Sequence, residues 1–528
     1  MARPGRLAFS LLLAGTLSGG AYFAWVSSVG SPSPVELLPP GAFGVVEARD
    51  AEDLARRLSG TRFAAEFARS ATREWLERSS LVLAFDAALA EVRHVSGVSP
   101  GRGIAFDLLG AEAAAGWYPP TGTATAAPWV AGGRLNVRAW AVATVLRLGM
   151  RFGLGATGVT REEVAGRALY SFPGGAGKSL HVFLAGRVLV GGSDLSLVVK
   201  AAHAAGDAGA GVTREPAWQA IRGALPARGE LFMWVRDRST ISGILPAVSA
   251  GLAGRGSAGA LLRAGKSIEI DVAAEPASAR PAAKTAGGAP RPLPGSTLLR
   301  QGPLFMVTSS DPVPTAFADL LQGRLKAVAK RTPGMSAPAT PIQTGNGYAV
   351  VITDGTGGTG FFPVPHGVVV IGMGSAAAAA RTLPLLYPAG ARTAAGGGTR
   401  ALATRESFPL AGEFELWGAA IGPQLVFATE TSLIDAASAD PGAVAAPRPD
   451  DPSWTVGAVA TISMEKLLPL LRRWGAPLSG LAAASWPEGP DIVRDLGLLA
   501  AVGTVQMTAG SDVRFDRAAI TLTVHDLR

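Results

Sequence analysis

The chain contains no cysteine. That excludes disulfides, thiolate zinc sites, cysteine-ligated iron–sulfur clusters, a cysteine nucleophile and a lipidated N-terminal cysteine. Histidine is scarce too. His94, His181, His203, His366 and His525 are the only five, and no two stand three or four residues apart as a helical metal-ligand pair would. The net charge is +8 and the isoelectric point about 10.1. Yet no run of four or more Lys/Arg occurs, and the aromatic residues are not interleaved with basic ones as base-stacking platforms require, which argues against nucleic acid as a partner. The G-x-S-x-G match at Gly97 to Gly101 puts Pro100 directly after Ser99, and a proline has no backbone N–H to offer an oxyanion hole, so the match does not read as a nucleophile elbow. Beyond the first 26 residues no segment stays apolar for 18 residues, so one helical span rather than a multi-pass channel is the expectation.

The first 36 residues speak to address. Arg3 and Arg6 precede an uncharged, mainly apolar run from Leu7 to Val26, and a polar, proline-bearing stretch, SSVGSPSPVE, follows. About 20 such residues at about 1.5 Å rise cross a bilayer core. The arginines hold the start on the cytoplasmic side and leave the bulk of the chain in the periplasm or extracytoplasmic space of a bacterial inner membrane. Two fates stay open. A signal peptide would be cleaved near the small residues Ser18 to Ala21. An uncleaved single-pass anchor is favoured by the length of the run and by Tyr22, Phe23 and Trp25, which resemble an interfacial aromatic belt. Residues 1–27 are thus read as anchor or signal peptide and 28–36 as a tether.

Past the tether, short strands lead repeatedly into amphipathic helices. One form is strand, polar junction, helix: Phe43 to Ala48 before AEDLARRL, Leu231 to Val235 before RSTISGIL, Leu304 to Val307 before VPTAFADLL, and Ala458 to Ile462 before MEKLLPLLRRW. Asp50, Asp237 and Ser463 at the junctions read as helix N-caps, whose side-chain oxygen accepts an orphan backbone N–H. A second form joins Val188 to Ser193, Val369 to Ser375 and Leu425 to Thr429 to the helical patterns after them. Between 167 and 192 the chain reads as an antiparallel meander with tight turns. Residues 274–296 are rich in Pro, Ala and Gly without apolar periodicity and read as a linker, and further loops are expected at 386–400 and 439–453. Both forms occur on each side of the linker. The expected architecture is therefore α+β, with two similar domains, 37–273 and 297–528, each built on a mainly antiparallel sheet with packed helices.

The opening ELLPPGAFGVVEARDAEDLARRLSGTRFAAEF, with Leu38-Pro39, the strand Val45 to Glu47 and the step Thr61-Arg62-Phe63, resembles uncharacterised bacterial exported proteins of a domain-of-unknown-function family. The later LHVFLAGRVLVGGSD resembles that family's second strand pair. The resemblance, over residues 36–66 and 180–194, implies an α+β fold and export. It carries no catalytic residue.

Several stretches mimic chemical motifs. FPGGAGKS at 172–179 ends like a phosphate-binding loop with Lys178 in the lysine place, but its first glycine is Phe172 and a strand follows where a helix is needed. Gly355 to Gly360 matches G-x-G-x-x-G but reads as a loop between two strands. Gly372, Gly374 and Ala377 stand between a strand and a helix, but the next acidic residue, Glu406, is too distant to hold a ribose. His181 on a strand and His203 on a helix read as structural. Among close carboxylates, Glu162-Glu163 are adjacent, Glu413 and Glu415 share one strand face, and Asp491 and Asp495 are expected on the solvent side of a helix. The tryptophans, Trp234 and Trp417 among them, read as core.

These readings assign no catalytic, cofactor-binding or metal residue and no cofactor. The expected role is non-enzymatic envelope binding or structural work, with the membrane as partner through the N-terminal helix, an unidentified envelope partner or ligand, and no nucleic acid. An envelope hydrolase using two carboxylates and a water, and a ligand-binding protein with an inter-domain cleft, are the alternatives.

Overall fold

In a computed structural model of the chain, the described residues are 32–49, 51–77, 112–120, 127–136, 140, 143, 159–173, 179–207, 210–237, 256–276, 293–294, 302–336, 342–357, 364–388, 391–396, 399–408, 412–438, 455–469, 472, 495–512 and 514–525. The fold is α+β and mostly antiparallel sheet. The chain divides into two compact units, Met1–Ser59 with Leu76–Ala264, and Gly60–Trp75 with Gly265–Arg528. Residues 60–75 and the strand at 268–274 thus group with the second unit, although 60–75 and all but the last residue of that strand fall within the expected domain 37–273. Among the described residues no helix is long and apolar enough to cross a membrane. The expected anchor and Asp50 lie outside the described residues, as do most of the linker 274–296 and the loop 439–453.

The first unit holds strands β1 (Gly44–Arg49), β2 (Glu112–Trp117), β3 (Trp129–Arg134), β4 (Thr160–Val164), β5 (Arg167–Pro173), β6 (Ser179–Ala185), β7 (Val188–Gly192), β8 (Leu231–Val235) and β9 (Ala258–Ala264). Their order is β4-β5-β6-β7-β3-β2-β1-β8-β9, every neighbour antiparallel. β5, β6 and β7 follow one another as the meander expected from the sequence. Alternation sets the faces: Val188 and Val190 of β7 are buried while Leu189 between them is exposed. Helix α4 (Leu195–Ala204; α1 to α3 are given below) packs on β6 and β7 through Val198, Ala201 and Ala202. Helix α5 (Pro216–Ala224) sets Trp218 edge-on against Phe232 and Trp234 of β8, at 4.9 and 5.6 Å between ring centres. Trp234 is fully enclosed, as its place in an apolar strand predicts. Helix α1 (Ala51–Ser59) is tied down by Arg57, which pairs with Glu230 at 2.7 Å.

The second unit holds β10 (Ile268–Ala274), β11 (Phe305–Pro312), β12 (Thr344–Gly357), β13 (Val364–Met373), β14 (Arg392–Gly396), β15 (Thr399–Phe408), β16 (Gly412–Ile421), β17 (Gln424–Ala428), β18 (Thr455–Ser463), β19 (Val502–Ser511) and β20 (Asp516–Val524). Their order is β10-β20-β19-β18-β11-β12-β13-β17-β16-β15-β14, again antiparallel throughout. Helices α6 (Thr315–Arg331) and α7 (Ala376–Leu385) cover a core of Leu321, Leu325, Ile371, Leu383, Leu425 and Phe427. Helix α8 (Thr431–Ser438) covers a second core that includes Met306, Val351, Val370, Val426 and Ile434. Successive residues of β13 and β17 alternate between the two cores, as a sheet covered on both faces requires. Residues 386–400, expected as a loop, contain β14. Its sequence Arg-Thr-Ala-Ala-Gly has no strand signal of its own and is held by pairing to β15.

The order β9-β8-β1-β2-β3-β7-β6-β5-β4 becomes β19-β18-β11-β12-β13-β17-β16-β15-β14 when each number is raised by ten. Details repeat with it. The hairpins β6–β7 and β16–β17 turn on Gly186 and Gly422, both left-handed, with φ of 60° and 55°. After β7 the Ser193 hydroxyl accepts the Trp129 N–H at 3.1 Å, and after β17 the Thr429 hydroxyl accepts the Gly367 N–H at 3.0 Å. Val45 and Glu47 of β1 are buried, and so are Met306 and Thr308 at the same places in β11.

Candidate functional site

The motif mimics resolve into strand and turn geometry. In FPGGAGKS, Phe172 and Pro173 end β5, Ser179 opens β6, and Pro173 is the register partner of Ser179. The stretch therefore closes a β-hairpin, which offers no helix N-terminus to an anion. Residues 174–178, with Lys178, lie outside the described residues. The G-x-G-x-x-G stretch also belongs to a hairpin, for Gly357 pairs with Val364 across β12 and β13, and residues 358–360 lie outside the described ones. At Gly372 a side chain would collide with the carbonyl oxygens of Asn346 and Gly347, where β12 is bulged against β13. This close approach of two backbones explains the glycine without a nucleotide. Gly374 has open space around it. Ser375 then caps α7, its hydroxyl accepting the Ala378 N–H at 3.1 Å.

Of the expected junction caps, Asp237 precedes residues outside the described ones, and Ser463 ends β18 directly before the helical residues 464–469. Side-chain caps are instead made by residues that include Thr61, Ser70, Asp194 and Ser375.

Glu162 and Glu163 are exposed on β4. Glu413 is exposed on β16, and Glu415 forms an ion pair with Arg392. Asp495 corrects the sequence reading, which placed it on the solvent side of a helix. It is buried, and it stands before α9 (Leu496–Ala500). Its carboxylate accepts the N–H groups of Ala71 and Thr72 at 2.6 and 2.9 Å and the Thr72 hydroxyl. It thereby caps α3 (Ala71–Glu77), next to α2 (Arg62–Phe67), together with the local Ser70, whose hydroxyl accepts the Arg73 N–H at 3.0 Å. Its partners lie too far away in sequence for any local periodicity to reveal them. Asp491 and His94 lie outside the described residues. His203 and His525 are exposed, and His366 pairs with Glu430 at 2.7 Å. Among the described residues no group of three or more His, Asp or Glu is arranged to hold a metal.

One constellation with chemical character comes only from the fold. Ser171 and His181 are cross-strand partners on β5 and β6, and the Ser171 oxygen lies 2.7 Å from His181 Nδ1. Burial of the ring pushes its pKa below the ordinary 6.5, against the opposing pull of the Asp194 and Glu162 carboxylates. A neutral ring with its proton on Nε2 accepts from the serine hydroxyl at Nδ1. Asp194, however, is engaged as the cap of α4. Its Oδ1 accepts the Leu197 N–H at 3.0 Å and the Ser196 hydroxyl at 2.6 Å. Burial raises the Asp194 pKa, but these hydrogen bonds outweigh it and hold the group below its usual value. Among the described residues no hydrogen bond orients His181 from a carboxylate, so the arrangement is a buried donor–acceptor pair without the third member of a nucleophilic triad. The matching places in the second unit, Ala403 and Trp417, are apolar. The turn that pairs Pro173 with Ser179 also sets Ser171 against His181, so the hairpin register was the signal available in the sequence.

A second polar cluster joins Arg324 of α6 to Glu406 of β15 at 2.8 Å, with the guanidinium 5.1 Å from the centre of the Tyr387 ring. Burial is the chief cause that raises the Tyr387 hydroxyl pKa. The arrangement ties α6 to the sheet.

No protein-family profile matches the chain, and no curated protein matches it. Among solved structures, crystal form III and crystal form I of TP0453 each match with 9% identity and a TM-score of 0.24, covering 48% of this chain and 82% of theirs. Crystal form IV of the same protein matches with 10% identity and a TM-score of 0.23, covering 48% and 83%.

Proposed function

We propose that the chain is a membrane-tethered extracytoplasmic protein, built from two similar α+β domains, that does binding or structural work in the bacterial envelope. It groups with the exported domain-of-unknown-function proteins that its opening resembles. The address rests on the Arg3- and Arg6-flanked run Leu7 to Val26. The role rests on one observation: the same nine-strand order occurs twice, and the polar residues at its key positions serve the framework. Ser193 and Thr429 close the sheet, Asp194 and Ser375 cap helices, and Gly372 admits a neighbouring backbone.

Fractionation of cells expressing the full chain, and a version begun at Ser28, tests the address. Carbonate washing is expected to leave the full chain in membranes and release the shorter one. Full-length protein that appears soluble and shortened would replace the anchor with a cleaved signal peptide.

A further inference from the structure

The outer face of α6 and α7 in the second unit plays no part in the packing described above. Both helices share one core, and Arg324 Nε of α6 donates to the Leu386 carbonyl just past α7 at 3.1 Å, so the two form one layer. Lys326, Lys330 and Arg331 of α6 and Arg381 of α7 are exposed on it, against the single exposed carboxylate of Asp319. None of these four cations has an ion pair or side-chain hydrogen bond among the described residues. Leu320 is 68% exposed, the most exposed large apolar side chain of the described residues, and Leu385 is 39% exposed.

Unpaired cations around exposed leucines suit one kind of surface. Phosphate headgroups attract the cations, and the boundary between headgroups and acyl chains accepts the leucines. A single-stranded nucleic acid would be met by exposed aromatic rings, but Phe317, the only aromatic residue of the two helices, packs inward, and the phosphate backbone of a duplex would leave Leu320 and Leu385 in water. We propose that the α6–α7 face of the second unit docks on an anionic phospholipid surface. The inference deepens the membrane-tethered reading but is tested without the tether, so either can fail alone.

The chain begun at Ser28 keeps every described residue. It is sedimented with vesicles of equal parts phosphatidylglycerol and phosphatidylcholine, and with phosphatidylcholine vesicles alone. Binding to the anionic vesicles only is expected, weakened by high salt. The triple variant Lys326→Glu, Lys330→Glu, Arg381→Glu should bind at least about tenfold more weakly, and Leu320→Ser should also bind more weakly. Far-UV circular dichroism and thermal melting check folding, and should charge reversal unfold the chain, Lys326→Gln with Lys330→Gln decides in its place. No binding to anionic vesicles, as expected if the face meets an acidic protein, overturns the proposal. So does binding that the charge variants leave unchanged.

Discussion

Asp495 accepts the N–H of Ala71 at 2.6 Å across 424 residues of chain, so the far end of the sequence satisfies the first N–H groups of a short helix whose local cap, Ser70, reaches only Arg73. The same carboxylate accepts from Thr72, so one buried side chain answers three donors. Asp495→Ala strands those donors and is expected to destabilise the second unit by about 1–3 kcal/mol. Urea unfolding should show a lower midpoint. A midpoint equal to that of the parent would mean that water replaces the carboxylate without loss.

His181 predicts a pH dependence. In the unfolded chain it takes up a proton near the ordinary 6.5, while in the folded chain burial holds its pKa lower despite Asp194 and Glu162. Between those two values the unfolded state binds more protons, so stability falls as pH falls through that window and is fully present above it. His181→Gln removes the titration, so the parent should lose more stability than the variant between neutral pH and the acid side of the window. Equal losses in denaturant melts would show that the ring does not titrate differently on folding.

Gly372 and Gly374 stand two residues apart in a motif mimic yet meet different surroundings. Gly372→Ala must displace the bulged backbone at Asn346 and is expected to cost at least about 1–3 kcal/mol. Gly374→Ala enters open space and should stay within about 0.5 kcal/mol of the parent. Thermal melting of the two variants separates these outcomes, and similar losses would contradict the geometry. Calorimetric titration of the parent with ATP or NAD is expected to show no binding, consistent with a backbone rather than a phosphate reason for the glycines.

The amino-acid pattern alone encoded the local elements. Alternation in LHVFLA and VLVGG set β6 and β7, and the apolar spacing after Ser193, Ser375 and Thr429 set α4, α7 and α8, because side-chain periodicity and turn chemistry act over a few residues. It also displayed the recurrence of strand–helix forms that the two strand orders share. The three-dimensional fold chose which distant strands pair, such as β1 between β2 and β8, or β10 beside β20. It likewise decided that β14 is a strand despite its sequence, and that the acidic residues Asp495 and Glu47 are buried. Those outcomes depend on hydrogen bonds and packing between residues far apart in the chain, and no local pattern encodes a partner that only folding brings near.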